Sequence, residues 1–232
     1  MTIFGITILE PTTTITDFIL AGMSFYFGHV LYWHHQKLGK NNSFDKRYSQ
    51  YWAMTFLFLG LGSFLGGVSH GFAYLKAEHT LMIATWPFTV LSIAMASFYL
   101  FLATSLEYFP SVRKWLFILG YLKLMAFMLL MFGYPKEYFG EFQNVSFSLV
   151  ILDYAPVMLW LLTMNMWEFI KKKSKPAKIM ITGILLSVIG TGIQMSGFGF
   201  HKHFNHNDIY HVIQMAAIYL MFKSVTLKKL YY

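Results

Sequence analysis

The chain has 232 residues, of which 56% are hydrophobic and only 12% charged, a balance that excludes an ordinary soluble domain and fits an integral membrane protein. It contains no cysteine, so disulfides and thiolate metal sites are excluded and any metal ligand must be His, Asp, Glu or a hydroxyl. The formal charge of +8 at pH 7 lies in short basic runs between apolar stretches, which is the pattern of membrane topology and not of nucleic-acid binding.

Taken in order, residues 1–10 carry no basic residue ahead of the apolar ones, so a cleaved signal peptide is not expected and the first helix should direct insertion. Seven apolar stretches follow, at about 13–34, 51–75, 80–105, 114–133, 145–168, 177–198 and 205–226, each near the roughly twenty residues that cross a bilayer. The connections are short. The expected fold is therefore all-α: one seven-transmembrane helix bundle over residues 1–232, with neighbouring helices antiparallel.

Basic residues orient it. Lys37, Lys40, Lys46 and Arg47 follow the first helix, Arg113 and Lys114 precede the fourth, Lys171, Lys172, Lys173, Lys175 and Lys178 separate the fifth and sixth, and Lys223, Lys228 and Lys229 close the chain. These segments lie on one side, against Lys76, Lys136 and Lys202 on the other. The positive-inside bias gives an exoplasmic N-terminus and a cytoplasmic C-terminus, with the plasma membrane as the default location.

That orientation sorts the polar residues by depth. A helix beginning near Lys202 puts His203, Asn207, His211 and Gln214 on one face, with His206 and Asp208 beside them. Ser63, Ser69 and His70 close the second helix at the same level, Glu10 and Asp17 open the first, His79 opens the third, and Ser187, Thr191 and Gln194 end the sixth at helical spacing. A polar cluster at membrane depth needs partners in the bundle interior and marks a candidate site. His70 and His211, with a third ligand from His206, Asp208 or His203, have the residue types of a zinc site with an open position. Each also has a plainer reading: histidines at helix ends bond headgroups or water, Asn205 or Asp208 caps the last helix, and Glu10 and Asp17 answer a helix dipole.

A protein of this size with a His ending helix two and a His-containing polar motif opening helix seven resembles the superfamily of alkaline ceramidases, progestin and adiponectin receptors and Per1-like proteins. That resemblance implies a zinc-dependent membrane hydrolase acting on a lipid amide or ester that enters from the outer leaflet. The family pattern is Ser-x-x-x-His in helix two, an Asp near the start of helix three and His-x-x-x-His in helix seven. His70 and His211 match it. Gly66 stands where the Ser belongs, with Ser63 a further turn back; Asn207 stands where the first helix-seven His belongs; and helix three offers His79, Thr80 and Thr85 but no Asp. Asp208 or Asp17 is then the candidate general base, with Asp208 an alternative ligand or orienter of a ring. The Glu10 to Asp17 segment is similar to the ceramidase segment that binds calcium.

Lys123 and Asp153 fall mid-membrane, where mutual pairing is the expected resolution. Retinal binding is excluded, because Lys223 lies at the end of helix seven and not at its middle. Glycines 60, 62, 66 and 67 in helix two and 183, 190 and 192 in helix six are expected to bring helices close. Three functions remain: a zinc-dependent lipid hydrolase, a non-catalytic seven-helix receptor or sensor retaining the pocket, and a haem protein ligated by paired histidines.

Overall fold

The computed structural model describes residues 2–3, 6–8, 10–37, 43–72, 80–133, 139–201 and 204–231. Among them the chain forms seven α-helices: α1 (Pro11–Lys37), α2 (Ser43–Phe72), α3 (Thr80–Tyr108), α4 (Arg113–Phe132), α5 (Phe139–Lys172), α6 (Lys175–Ser196) and α7 (His206–Tyr231). A hairpin of two-residue strands, Thr2–Ile3 with Ile6–Thr7, precedes them. Six helices are long and apolar enough to cross a bilayer, over 11–33, 46–72, 85–108, 110–132, 148–172 and 175–196. The protein is a multi-pass membrane protein.

Helix ends differ from the expected ones mainly where polar residues extend an apolar span. α2 starts at Ser43 and α5 runs from Phe139 to Lys172, because a helix satisfies its own backbone hydrogen bonds whether its side chains meet lipid or water. Only Phe109 separates α3 from the one-turn 3-10 helix Pro110–Val112 that leads into α4. α6 begins with Ser174 accepting from the Ala177 amide at 3.3 Å. It ends at Gly197, whose φ of 68° lets its N–H return to the Gln194 carbonyl.

α1 packs on α2, α2 on α3 and α6 on α7, while α7 closes back on α1. The α1–α2 approach depends on glycine: a methyl on Gly67 would stand 3.0 Å from Asp17 Cβ, and one on Gly71 2.8 Å from Thr14 Oγ1. Larger residues there would push α1 away. Deeper in the bundle, Phe27 of α1 stacks on Phe222 of α7 at 4.4 Å between ring centroids, with Phe56 of α2 edge-on to both. α4 lies outermost, with Trp115, Leu122, Leu129 and Leu130 exposed, which suits a helix facing lipid.

Lys123 and Asp153 do pair. Lys123 Nζ donates to Asp153 Oδ1 at 2.6 Å and to Ser97 Oγ at 3.0 Å, joining α3, α4 and α5 through one charge pair whose carboxylate is buried and whose lysine is partly exposed.

Candidate functional site

The end of the bundle where α1 and α7 begin and α2 and α6 finish collects acids and histidines. α7 is started by Asn205, whose side-chain oxygen accepts from the Asn207 and Asp208 amides at 2.8 and 3.4 Å. Asp208 Oδ2 reaches back to the Asn205 amide at 2.7 Å, completing a reciprocal cap. Its other oxygen accepts from Thr13 Oγ1 of α1 at 2.9 Å. Asp208 thus spends both oxygens on starting α7 and tying it to α1.

One turn further, His211 is 6% exposed and Asp17 4%. Thr16 Oγ1 lies 3.0 Å from the Thr13 carbonyl and 2.9 Å from His211 Nδ1, and its hydroxyl can serve the ring as donor or acceptor. The other ring nitrogen, Nε2, faces Asp17 Oδ1 at 3.3 Å, so the buried imidazole is held between a hydroxyl and a carboxylate of α1. Asp17 Oδ2 is buried with no hydrogen-bond partner. It lies 3.6 Å from where a Gly66 methyl would be, so the α1 carboxylate occupies the space beside the residue where the family pattern has serine.

His70 ends α2 on the open side of this group. Its Nδ1 is 3.2 Å from Glu10 Oε2, and the two side chains are 29% and 43% exposed. Hydrogen bonding to His70 holds the Glu10 carboxyl below its ordinary range, against the upward push of partial burial, and the charges of His70 and His206 add to the lowering. Nδ1 of each ring thus meets an oxygen of the chain's first helical segment, Glu10 just ahead of α1 for His70 and Thr16 within it for His211.

The structure brings His70, His211 and Asp17 into one electrostatically connected group with Glu10 and Asp208. His206 is the first residue of α7, half-buried, and close enough for its charge to act on Glu10. Ser63 lies half-buried on α2 and makes no hydrogen bond to a described residue of the group. His79 and His203 fall outside the described residues, as do Lys76, Lys136 and Lys202. Glu10 and Asp17, the pair expected from the calcium-binding resemblance, face separate histidines. On the α6 side Gln194 donates to Asn207 Oδ1 at 3.2 Å, and Gln214 to Ser187 Oγ at 2.8 Å, so the two expected polar faces meet.

As donors for a metal, an imidazole pair with carboxylates fits zinc. Among the described residues, no group of three His, Asp or Glu side chains is drawn together as a ligand set.

Residues 12–229 match the model of a family, DUF6962, described as a family of unknown function. The chain belongs to that family. No curated protein and no solved structure matches this DUF6962 chain.

The opposite end holds a second charged group that sequence reading missed. Lys228 of α7 is 4% exposed and donates to Glu107 of α3, to Tyr108 Oη at 2.9 Å, to Asn165 Oδ1 at 3.1 Å and to Glu168 Oε2 of α5 at 2.9 Å. Tyr108 in turn donates to Glu168 at 2.6 Å. Two glutamates at helix ends crowded with lysine were the available signal, because an acid kept there implies a particular cation.

Proposed function

We propose that this protein is a seven-span, metal-dependent membrane hydrolase acting on a lipid amide or ester, with its site in the outer half of the bundle. α7 is taken as the seventh span: at 26 residues it is about 39 Å long, and its polar residues face partners on α1 and α6. The basic runs at the ends of α1, α5 and α7 and the start of α4 support an exoplasmic N-terminus and a cytoplasmic C-terminus.

The observation that carries this reading is the buried approach of His211 Nε2 to Asp17, with a carboxylate oxygen that has no hydrogen-bond partner beside it. His211, Asp17 and His70 are the residues that would hold zinc, each from a different helix. When bound there, zinc supplies Lewis acidity toward a carbonyl oxygen. Thr16 holds the His211 ring through Nδ1, Asp208 holds α7 in register with α1, and Gly66 leaves the Asp17 carboxylate its room. Glu10, at the open side and kept ionised, takes the proton as a water oxygen bonds to the substrate carbonyl carbon. It returns that proton to the departing amine or alkoxide as the C–N or C–O bond breaks. A membrane lipid is the substrate proposed because the residues of the group sit on, or just before, helices long and apolar enough to cross a bilayer.

A second reading is a receptor or sensor in which a proton, not a metal, lies between His211 and Asp17. The separate acid partner of each histidine favours it. Elemental analysis of detergent-purified wild type beside His211→Ala distinguishes the two. Near-stoichiometric zinc that is lost in the variant, followed by chelator-sensitive cleavage of a lipid amide, is the expected result. Metal-free wild type that rebinds no zinc overturns the hydrolase reading in favour of the sensor.

A further inference from the structure

A cleft of about 330 Å³ opens between α2, α3 and α4 and is lined by Arg47, Tyr51, Leu102, Ser105, Leu106, Arg113, Lys114, Phe117 and Ile118. Its chemistry is ordered along the bundle axis. Arg47 lies near the start of α2, Arg113 and Lys114 are the first residues of α4, and Ser105 is in the last turn of α3, so the polar groups share the bundle end. Leu102, Phe117 and Ile118 lie about one turn further in. All three cations are exposed, and among the described residues no carboxylate pairs with any of them. Among the described side chains, the acid nearest in sequence to the cleft lining is Glu107, two residues beyond Ser105. It is turned away and bound to Lys228. Three like charges around one concave, apolar-walled space repel one another unless an anion joins them.

We propose that this cleft is a binding site for an anionic phospholipid, with its phosphate among Arg47, Arg113 and Lys114 and its acyl chains along Leu102, Leu106, Phe117 and Ile118. A phospholipid has the same order of polarity along the membrane normal as the cleft wall: charge at the interface, hydrocarbon inward. A freely diffusing phosphate would use the cations and leave the apolar wall open to water. Basic pockets between helices at the bilayer surface are suited to such headgroups. Each cation also meets the phosphate as a charge-assisted donor, in two parallel bonds where the arginines are concerned. The outermost position of α4, whose other surfaces face lipid, gives the chains a lateral way in. The inference is independent of the hydrolase reading, since the acid and histidine group lies at the other end of the helices.

The test is native mass spectrometry of the detergent-purified full chain with equal amounts of phosphatidylglycerol and phosphatidylcholine carrying the same acyl chains. Wild type is expected to retain phosphatidylglycerol preferentially. Arg113→Gln/Lys114→Gln should reduce that preference by roughly fivefold for each cation removed. A control triple variant, Lys171→Gln/Lys172→Gln/Lys173→Gln, removes exposed charge elsewhere at the same end and should leave the preference intact. If the double variant does not fold, the exposed single change Lys114→Glu, which supplies an internal counter-ion, should abolish the preference by itself. Equal retention of both lipids by wild type overturns the site, and so does an equal loss in the lysine-run control. Displacement of phosphatidylglycerol by millimolar inorganic phosphate overturns the lipid as occupant and leaves a phosphate-ion site.

Discussion

The two ends of the bundle both bury acids against bases, with opposite consequences. At one end Lys228 sits among Glu107, Glu168, Tyr108 and Asn165, and every donor of its ammonium has an acceptor. At the other, Asp17 keeps a buried oxygen without a hydrogen-bond partner while its second oxygen faces the His211 ring at 3.3 Å. The first arrangement is saturated and reads as a structural tie. The second leaves a buried carboxylate oxygen unsatisfied and reads as a place where something binds.

That contrast is broken most sharply by Lys228→Met, which leaves two buried carboxylates without their cation. Thermal unfolding in detergent should show a loss of about 3–5 kcal/mol, most of it regained when Glu107→Gln and Glu168→Gln are added. Unchanged stability in the single variant would mean the cluster is not the tie described here.

At the opposite end, Thr16→Val removes the hydroxyl that holds the His211 ring at Nδ1 and leaves the packing volume nearly intact. Zinc affinity, read by competition with a fluorescent chelator, should fall about 10–100-fold, with little change in unfolding temperature. A large stability loss at unchanged affinity would move Thr16 into the structural class of Lys228.

Asn205→Ala tests the starting point of α7. It should cost about 1 kcal/mol in the same unfolding measurement and leave the Lys228 cluster unaffected. The smallest expected effect concerns Glu10. Its folded pKa lies below the ordinary 4.5, so the stability it contributes is present above that value and fades as pH falls through the lower folded one. Glu10→Gln should flatten this acid-side slope in an unfolding-temperature titration, and an unaltered slope would assign it to other carboxylates.

Much of the α1, α2, α6 and α7 end was legible because its residues repeat at helical spacing within apolar runs. Asn207 and Gln214 were placed on one face and Ser187 and Gln194 on another, and these faces meet. The Lys123 to Asp153 pair was legible because a lone charge at mid-membrane depth needs an opposite one. What the sequence hid was depth at helix ends. Lys228 stands among lysines that mark topology, and nothing in its neighbours distinguishes the one drawn inward by Glu107 and Glu168. Hidden too was Thr16: a hydroxyl in a Thr-rich helix start carries no sign that it meets the ring of His211 on the last helix. α7 falls outside the six helices recognised by apolarity alone because its polar and charged side chains lower its mean hydropathy, several of them meeting partners on α1 and α6.

α7 is the one helix of the seven whose sequence contains neither glycine nor proline. It therefore lacks the usual points of bending over the seventeen residues, about 25 Å, that separate His211 from Lys228. Mechanically it is a connecting rod without a joint, anchored to a different charge group at each end. A screw motion of one residue would swing both side chains through about 100° together, so neither end can change its partner without presenting the other with the same turn.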